Sequence, residues 1–230
     1  MNFSNTLVVL FVLLFSTAFG QQNIKAFDFK KGEILDVIIL SQTNDSAALF
    51  DTYKRTAFPV AFEYTYQPQP GFGISKLTLG TNKASAFLFG KWNSRKDREG
   101  FLATIADRVP DFHEQRRNLF PYFGLTYYEM QTDLTFSVDT SKYNLVTSFW
   151  NRPSDQNQSF FNTWKSNVES SGGSVILTLN EGTSPTGYYY NPAILCITTW
   201  ENEAAFKTFS EKYPLSTYDS LENVHQFVIQ

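Results

Sequence analysis

Two stretches of this chain share one design. AFLFGKWNSRKDREGF (residues 86–101) and AILCITTWENEAAF (residues 193–206) each run from an apolar, strand-like segment through a tryptophan into a charged segment with helical spacing of its phenylalanines. Trp92 and Trp200 fix the offset at 108 residues. The same offset sets DVIILSQTNDS (residues 36–46) on NLVTSFWNRPS (residues 144–154), each an apolar strand running into a helix-start signal. GISKLTLG (residues 73–80) matches GSVILTLN (residues 173–180) at an offset of 100, which marks a change of loop length. A chain built this way must fold as two like units.

Each unit reads as strand, helix, strand, strand, helix, strand. In the second half SDQNQSFFNTWKSNVESSGG gives the clearest helix, with Ser154 as N-cap, Phe160, Phe161, Trp164 and Val168 on one stripe, and Gly172 past the end. The counterpart in the first half places Leu49, Phe50, Tyr53, Ala57 and Phe58 before Pro59, where a helix is expected to end or kink. RVPDFHEQRRNLF adds a helical segment after Pro110. The seven basic residues between Lys91 and Arg117 are interleaved with Asp97, Glu99, Asp107, Asp111 and Glu114 and read as a solvated helix face. The resulting divisions are residues 1–20 (signal peptide), 21–32 (leader), 33–130 (first repeat), 131–141 (a polar connector) and 142–230 (second repeat).

The order βαββαβ is the split, ferredoxin-like arrangement, an antiparallel sheet with two helices on one face. The other face should then be polar, yet the strands are apolar on both sides. Val37 and Ile39 oppose Ile38 and Leu40, Phe87 and Phe89 oppose Ala86 and Leu88, and Leu195 and Ile197 oppose Ile194 and Cys196. Burying a large apolar side chain contributes about 1.5–3 kcal/mol, so a wet apolar sheet face would be costly. The expected fold is therefore α+β, two tandem ferredoxin-like βαββαβ repeats packed sheet to sheet as an intramolecular pseudo-dimeric barrel. A monomer with such an internal pseudo-dimer is expected.

These tryptophan-led units resemble the dimeric α+β barrel superfamily, which includes antibiotic-biosynthesis-type monooxygenases and many small bacterial proteins of unknown activity. The second copy matches the family's W-x-x-x-x-A-F form through Trp200, Ala205 and Phe206, while the first departs from it with Asp97 and Arg98 at the Ala and Phe places. The resemblance implies a pocket between a sheet and its helices, and activities ranging from cofactor-free oxygenases and isomerases to haem proteins. For the haem-degrading branch it implies a histidine one or two turns past the tryptophan, which neither FLATIADRV nor FKTFSEKY supplies. No cofactor is expected.

The apolar run at residues 7–15, followed by Ala18 and Gly20 at −3 and −1, reads as a signal peptide cleaved before Gln21, with an uncleaved anchor as the alternative. The mature chain is expected to be secreted or periplasmic, without stable membrane insertion. Its one cysteine, Cys196, lies in an apolar strand and cannot form an internal disulfide. A net charge of −3 gives no field for nucleic acid.

Only two histidines are present. His113 lies between Asp111 and Glu114, carboxylates expected to raise its pKa, and is the candidate acid–base group; a surface role is the alternative. His225 reads as a satisfied strand histidine. No metal-ligand spacing, phosphate loop or nucleophile elbow occurs. With 23 Phe, 12 Tyr and 4 Trp, an apolar pocket edged by phenols is expected from among Tyr64, Tyr66, Tyr127, Tyr128 and Tyr188 to Tyr190, with Tyr64, Tyr127, Tyr128 and Tyr189 as the candidate substrate-binding residues; tyrosines that only edge the sheets and the seam between the repeats are the alternative. Three readings stay open: a small-molecule-binding protein for an apolar or aromatic compound with no catalytic activity, a cofactor-independent monooxygenase or isomerase, and a structural or interaction module.

Overall fold

The computed structural model describes residues 23–44, 46–152 and 157–230; the segment read as a signal peptide and Ser154, read as an N-cap, lie outside the described residues. Strand β1 (Ile24–Phe29) leads into the first repeat, which comprises β2 (Ile34–Ser41), α1 (Ala47–Glu63), the two-residue β3 (Gln67–Pro68), β4 (Phe72–Leu79), β5 (Ala86–Trp92), α2 (Arg95–Arg108), α3 (Phe112–Leu119) and β6 (Tyr122–Glu129). After β7 (Leu134–Asp139) comes the second repeat: β8 (Tyr143–Asn151), α4 (Asn157–Ser170), β9 (Ser174–Asn180), β10 (Ile194–Trp200), α5 (Glu203–Lys212) and β11 (Leu221–Ile229).

Both repeats place their strands in the ferredoxin-like order: β6-β2-β5-β4 in the first and β11-β8-β10-β9 in the second. β4 pairs antiparallel with β11, so the two sheets run on as one. At the far seam, single bridges join Leu125 to Tyr189 and Tyr127 to Thr183. The result is a nearly closed, eight-strand antiparallel barrel with helices outside. Its second helices begin alike. Ser94 accepts a hydrogen bond from the Asp97 N–H at 3.1 Å, and Asn202, at the same place in the second repeat, accepts one from the Ala205 N–H at 3.0 Å.

The period-2 alternation decides which side chains enter the barrel. Leu35, Val37, Ile39, Phe87, Phe89, Val146, Leu195, Ile197, Phe227 and Ile229 all lie in one buried cluster between the sheets. Their alternates, among them Ile34, Ile38 and Trp92 in one repeat and Leu145, Cys196 and Trp200 in the other, pack under the helices. The space between the sheets is filled with side chains. The leader and connector add to that filling. β1 and β7, read from sequence as flanking segments, pair antiparallel and bring Phe27, Phe29, Phe136 and Val138 into the same cluster, with the Phe27 and Phe136 rings stacked at 4.7 Å.

Pro59 does not end α1, which continues to Glu63. The proline is exposed, on the side where the carbonyl it leaves without a partner can reach water, while Ala57, Val60 and Ala61 are buried and hold the helix on both sides of it.

Candidate binding site

The departure from the tryptophan motif in the first repeat has a structural partner. Arg98, standing where the second repeat has Phe206, is 3% exposed, and its Nε donates to both carboxylate oxygens of Asp36 at 2.8 and 2.9 Å. Trp92 Nε1 donates to Asp36 Oδ2 at 2.8 Å, so a single carboxylate on β2 organises the tryptophan at the end of β5 and the first turns of α2. The guanidinium is flanked by the rings of Trp92 and Tyr127, at 5.5 and 5.4 Å. In the second repeat Asn144 replaces Asp36 and donates to the carbonyls of Asp139 and Lys142, Trp200 Nε1 donates to Thr198 Oγ1, and Phe206 packs on Trp200 at 5.7 Å.

Under α1, α2 and α3 this network borders a partly open cavity of about 70 Å³. Its lining includes Asp36 and Ile38 of β2 and Leu125 of β6 from the sheet, Tyr53, Ala57 and Ala61 of α1, Tyr66, Arg98 of α2, and Arg116 of α3. Tyr188 reaches it from the other repeat, out of the segment between β9 and β10. The corresponding space in the second repeat is occupied by Phe160, Phe161, Trp164, Phe206 and Phe209.

Burial raises the Tyr53 hydroxyl to about 12, partly opposed by Arg116 and Arg98. Burial, reinforced by Asp36, raises Tyr66 further. Both phenols are thus protonated donors at neutral pH. Burial pushes the Arg116 guanidinium down to about 10, which leaves it charged.

The residues singled out from sequence do not converge. His113 is exposed on α3, does not line the cavity, and has its pKa lowered by partial burial and by Arg116 and Arg117, against the rise expected from its carboxylate neighbours. Tyr64 is half-buried, and its hydroxyl accepts from Thr104 at 3.0 Å. Tyr127 donates to Glu99 at 2.7 Å on the outer face of β6. Tyr128, next along, points into the barrel with its hydroxyl buried and unpartnered among the described residues. Tyr189 is 84% exposed, at a positive φ of 35°. Its neighbours go elsewhere: Tyr188 to the cavity and Tyr190 into the barrel. Tyr66 and Tyr188, two of the tyrosines from which a phenol-edged pocket is expected, do line the cavity, whereas Asp36, Tyr53, Arg98 and Arg116 are not legible as site residues beyond the signal that the Arg98 mismatch between the repeats gives. Two arginines read as part of a solvated helix face, Arg98 and Arg116, turn out to line the cavity.

His225 is buried, with Nδ1 3.0 Å from the Tyr190 hydroxyl and Nε2 3.1 Å from the Asn82 carbonyl, as a satisfied strand histidine should be.

No family model and no curated protein matches the sequence, but solved structures match the fold. A mutant chlorite dismutase from Candidatus Nitrospira defluvii superposes with a TM-score of 0.51 at 8% identity, over 88% of this chain and 93% of that one. An anthrone oxidase-like protein gives 0.48 at 13% identity, over 89% and 94%. A dimeric protein of ferredoxin-like fold from Bacteroides fragilis gives 0.29 at 13% identity, covering 44% of this chain and 100% of its own. The fold is that of the dimeric α+β barrel proteins, with both halves of the barrel on one chain.

Proposed function

We propose that the protein is an exported, small-molecule-binding α+β barrel, and that it binds its ligand in the cavity between α1, α2, α3 and the sheet of the first repeat. One observation carries this reading. The two repeats are built alike, yet among the described residues the first opens a cavity where the second holds Phe160, Phe161, Trp164, Phe206 and Phe209, and that cavity combines apolar walls with buried charged and phenolic groups. At about 70 Å³ it is roughly half the ~150 Å³ of an apolar cavity that takes benzene, so the ligand is compact or the helices yield to admit it. Catalysis by the oxygenase route gains nothing from His113, which is exposed and off the cavity wall.

A thermal-shift screen of small apolar and aromatic compounds tests the reading, because a ligand that binds the folded state raises the melting temperature by mass action. Ala57→Leu, which extends a lining side chain of α1 into the cavity, should abolish the shift that wild type shows. A ligand that stabilises both proteins equally binds elsewhere, and the cavity assignment then fails. Export rests on the apolar run at residues 7–15 and on Ala18 and Gly20. Amino-terminal sequencing of the protein from the secreted or periplasmic fraction should start at Gln21; the intact amino terminus found there would remove the cleavage reading.

A further inference from the structure

The cavity wall carries two guanidinium groups, of Arg98 and Arg116, and one carboxylate, of Asp36. The carboxylate is taken. Both its oxygens face Arg98 Nε, and one also accepts from Trp92, so Arg98 is neutralised within the wall. Arg116 is not. Among the described residues its guanidinium makes no ion pair and no hydrogen bond; aromatic faces surround it instead, with Tyr188, Phe123 and Phe112 ring centroids 4.1, 5.0 and 5.4 Å from its Cζ. Cation–π contacts offset part of the cost of desolvating a cation, but they leave the guanidinium's planar fork of N–H donors without oxygen acceptors. Such a fork matches a carboxylate in shape and charge. Tyr53 and Tyr66, protonated phenols, also line the cavity, and most of the remaining lining is apolar.

We infer that the cavity receives a small organic monocarboxylate, its carboxylate group on the Arg116 guanidinium and its hydrocarbon part against Ile38, Ala57, Ala61 and Leu125. This rests on the cavity being the binding site and names the class of ligand it takes. An uncompensated positive charge on the wall of a largely apolar cavity selects for the anion, because burying an anionic group is costly unless it meets a fixed opposite charge. It also selects against the isosteric amide, whose N–H₂ would face the arginine's donors.

The experiment is calorimetric titration of the full chain with two acid–amide pairs, propionate against propionamide and benzoate against benzamide. Each acid is expected to bind at least tenfold more tightly than its amide. Arg116→Met should erase that preference, and Arg116→Lys should keep part of it. Equal binding of acid and amide, or an Arg116→Met variant that keeps the preference, overturns the inference while leaving the cavity as a binding site for neutral compounds. Failure of every probe on wild type also overturns it, and the Ala57→Leu screen then decides the cavity assignment separately. If Arg116→Met does not fold, the acid–amide comparison on wild type and on Arg116→Lys still decides.

Discussion

Arg98 on α2 and Asp36 on β2 form a buried ion pair, with 2.8 and 2.9 Å from Nε to the two carboxylate oxygens, at positions where the second repeat holds Phe206 and Asn144. The two repeats therefore solve one packing problem in two ways. Removing one partner of a buried pair leaves the other charge uncompensated and costs about 3–5 kcal/mol. Asp36→Asn and Arg98→Phe are each expected to lose about that much in urea unfolding. The double variant re-creates the residue pair of the second repeat and should recover most of the loss, which gives a coupling energy of at least about 1 kcal/mol. Additive losses would show that the two residues do not act as a unit.

Much of this architecture is readable in one dimension because it follows from periodicity. Val37 and Ile39 against Ile38 and Leu40 announce a sheet buried on both faces, and the offset between Trp92 and Trp200 announces two copies. The helix starts at Ser94 and Asn202 follow from capping chemistry alone. The site is less legible, because it depends on where the copies differ. Arg98 stands out as a mismatch, but Asp36 looks ordinary until the fold puts β2 under α2. Arg116 sits in a run of charges, and only the docking of α3, where the second repeat has just the three-residue 3-10 turn Leu215–Thr217, turns it inward. The slip of the offset to 100 marks the long segment between β9 and β10. Nothing local says that within it Tyr188, Tyr189 and Tyr190 go respectively to the cavity, to solvent and into the barrel.

Gly90 lies opposite Asp36 in the β2–β5 pairing, and its missing side chain makes room for Tyr66. A Cβ there would come within 2.7 Å of Tyr66 Cε2 and 3.2 Å of its hydroxyl oxygen. Tyr66 in turn lies against Trp92 at 4.8 Å and lines the cavity. Gly90→Ala is expected to displace that ring and to cost about 1–3 kcal/mol by overpacking. In a Tyr66→Ala background the same change should cost less than about 1 kcal/mol, since the clash is gone. Urea unfolding of the four proteins checks this, and an unchanged cost in the second background would show that the strain lies elsewhere.

His225 makes stability depend on pH, and the hydrogen bonds set the sign. Asn82 offers Nε2 a carbonyl oxygen, which only accepts, so Nε2 carries the proton. In the neutral ring Nδ1 is then the acceptor facing the Tyr190 hydroxyl, which also lies 2.7 Å from Ser148 Oγ. Burial opposes a second proton and lowers the pKa below the ordinary 6.5, partly countered by the bond to Asn82. The folded state therefore binds fewer protons than the unfolded chain once the pH falls below about 6.5. The contribution of His225 is fully present above that pH and is lost as the pH drops toward the folded pKa, with a slope of at most about 1.4 kcal/mol per pH unit. His113 is lowered too and adds in the same direction, so His113→Gln serves as the comparison. Urea unfolding between pH 5 and 8 should show a decline below about 6.5 in wild type and in His113→Gln, and a flatter profile in His225→Gln. Equal slopes in all three would mean that His225 titrates alike folded and unfolded, and that the buried Tyr190–His225 contact does not hold the ring neutral.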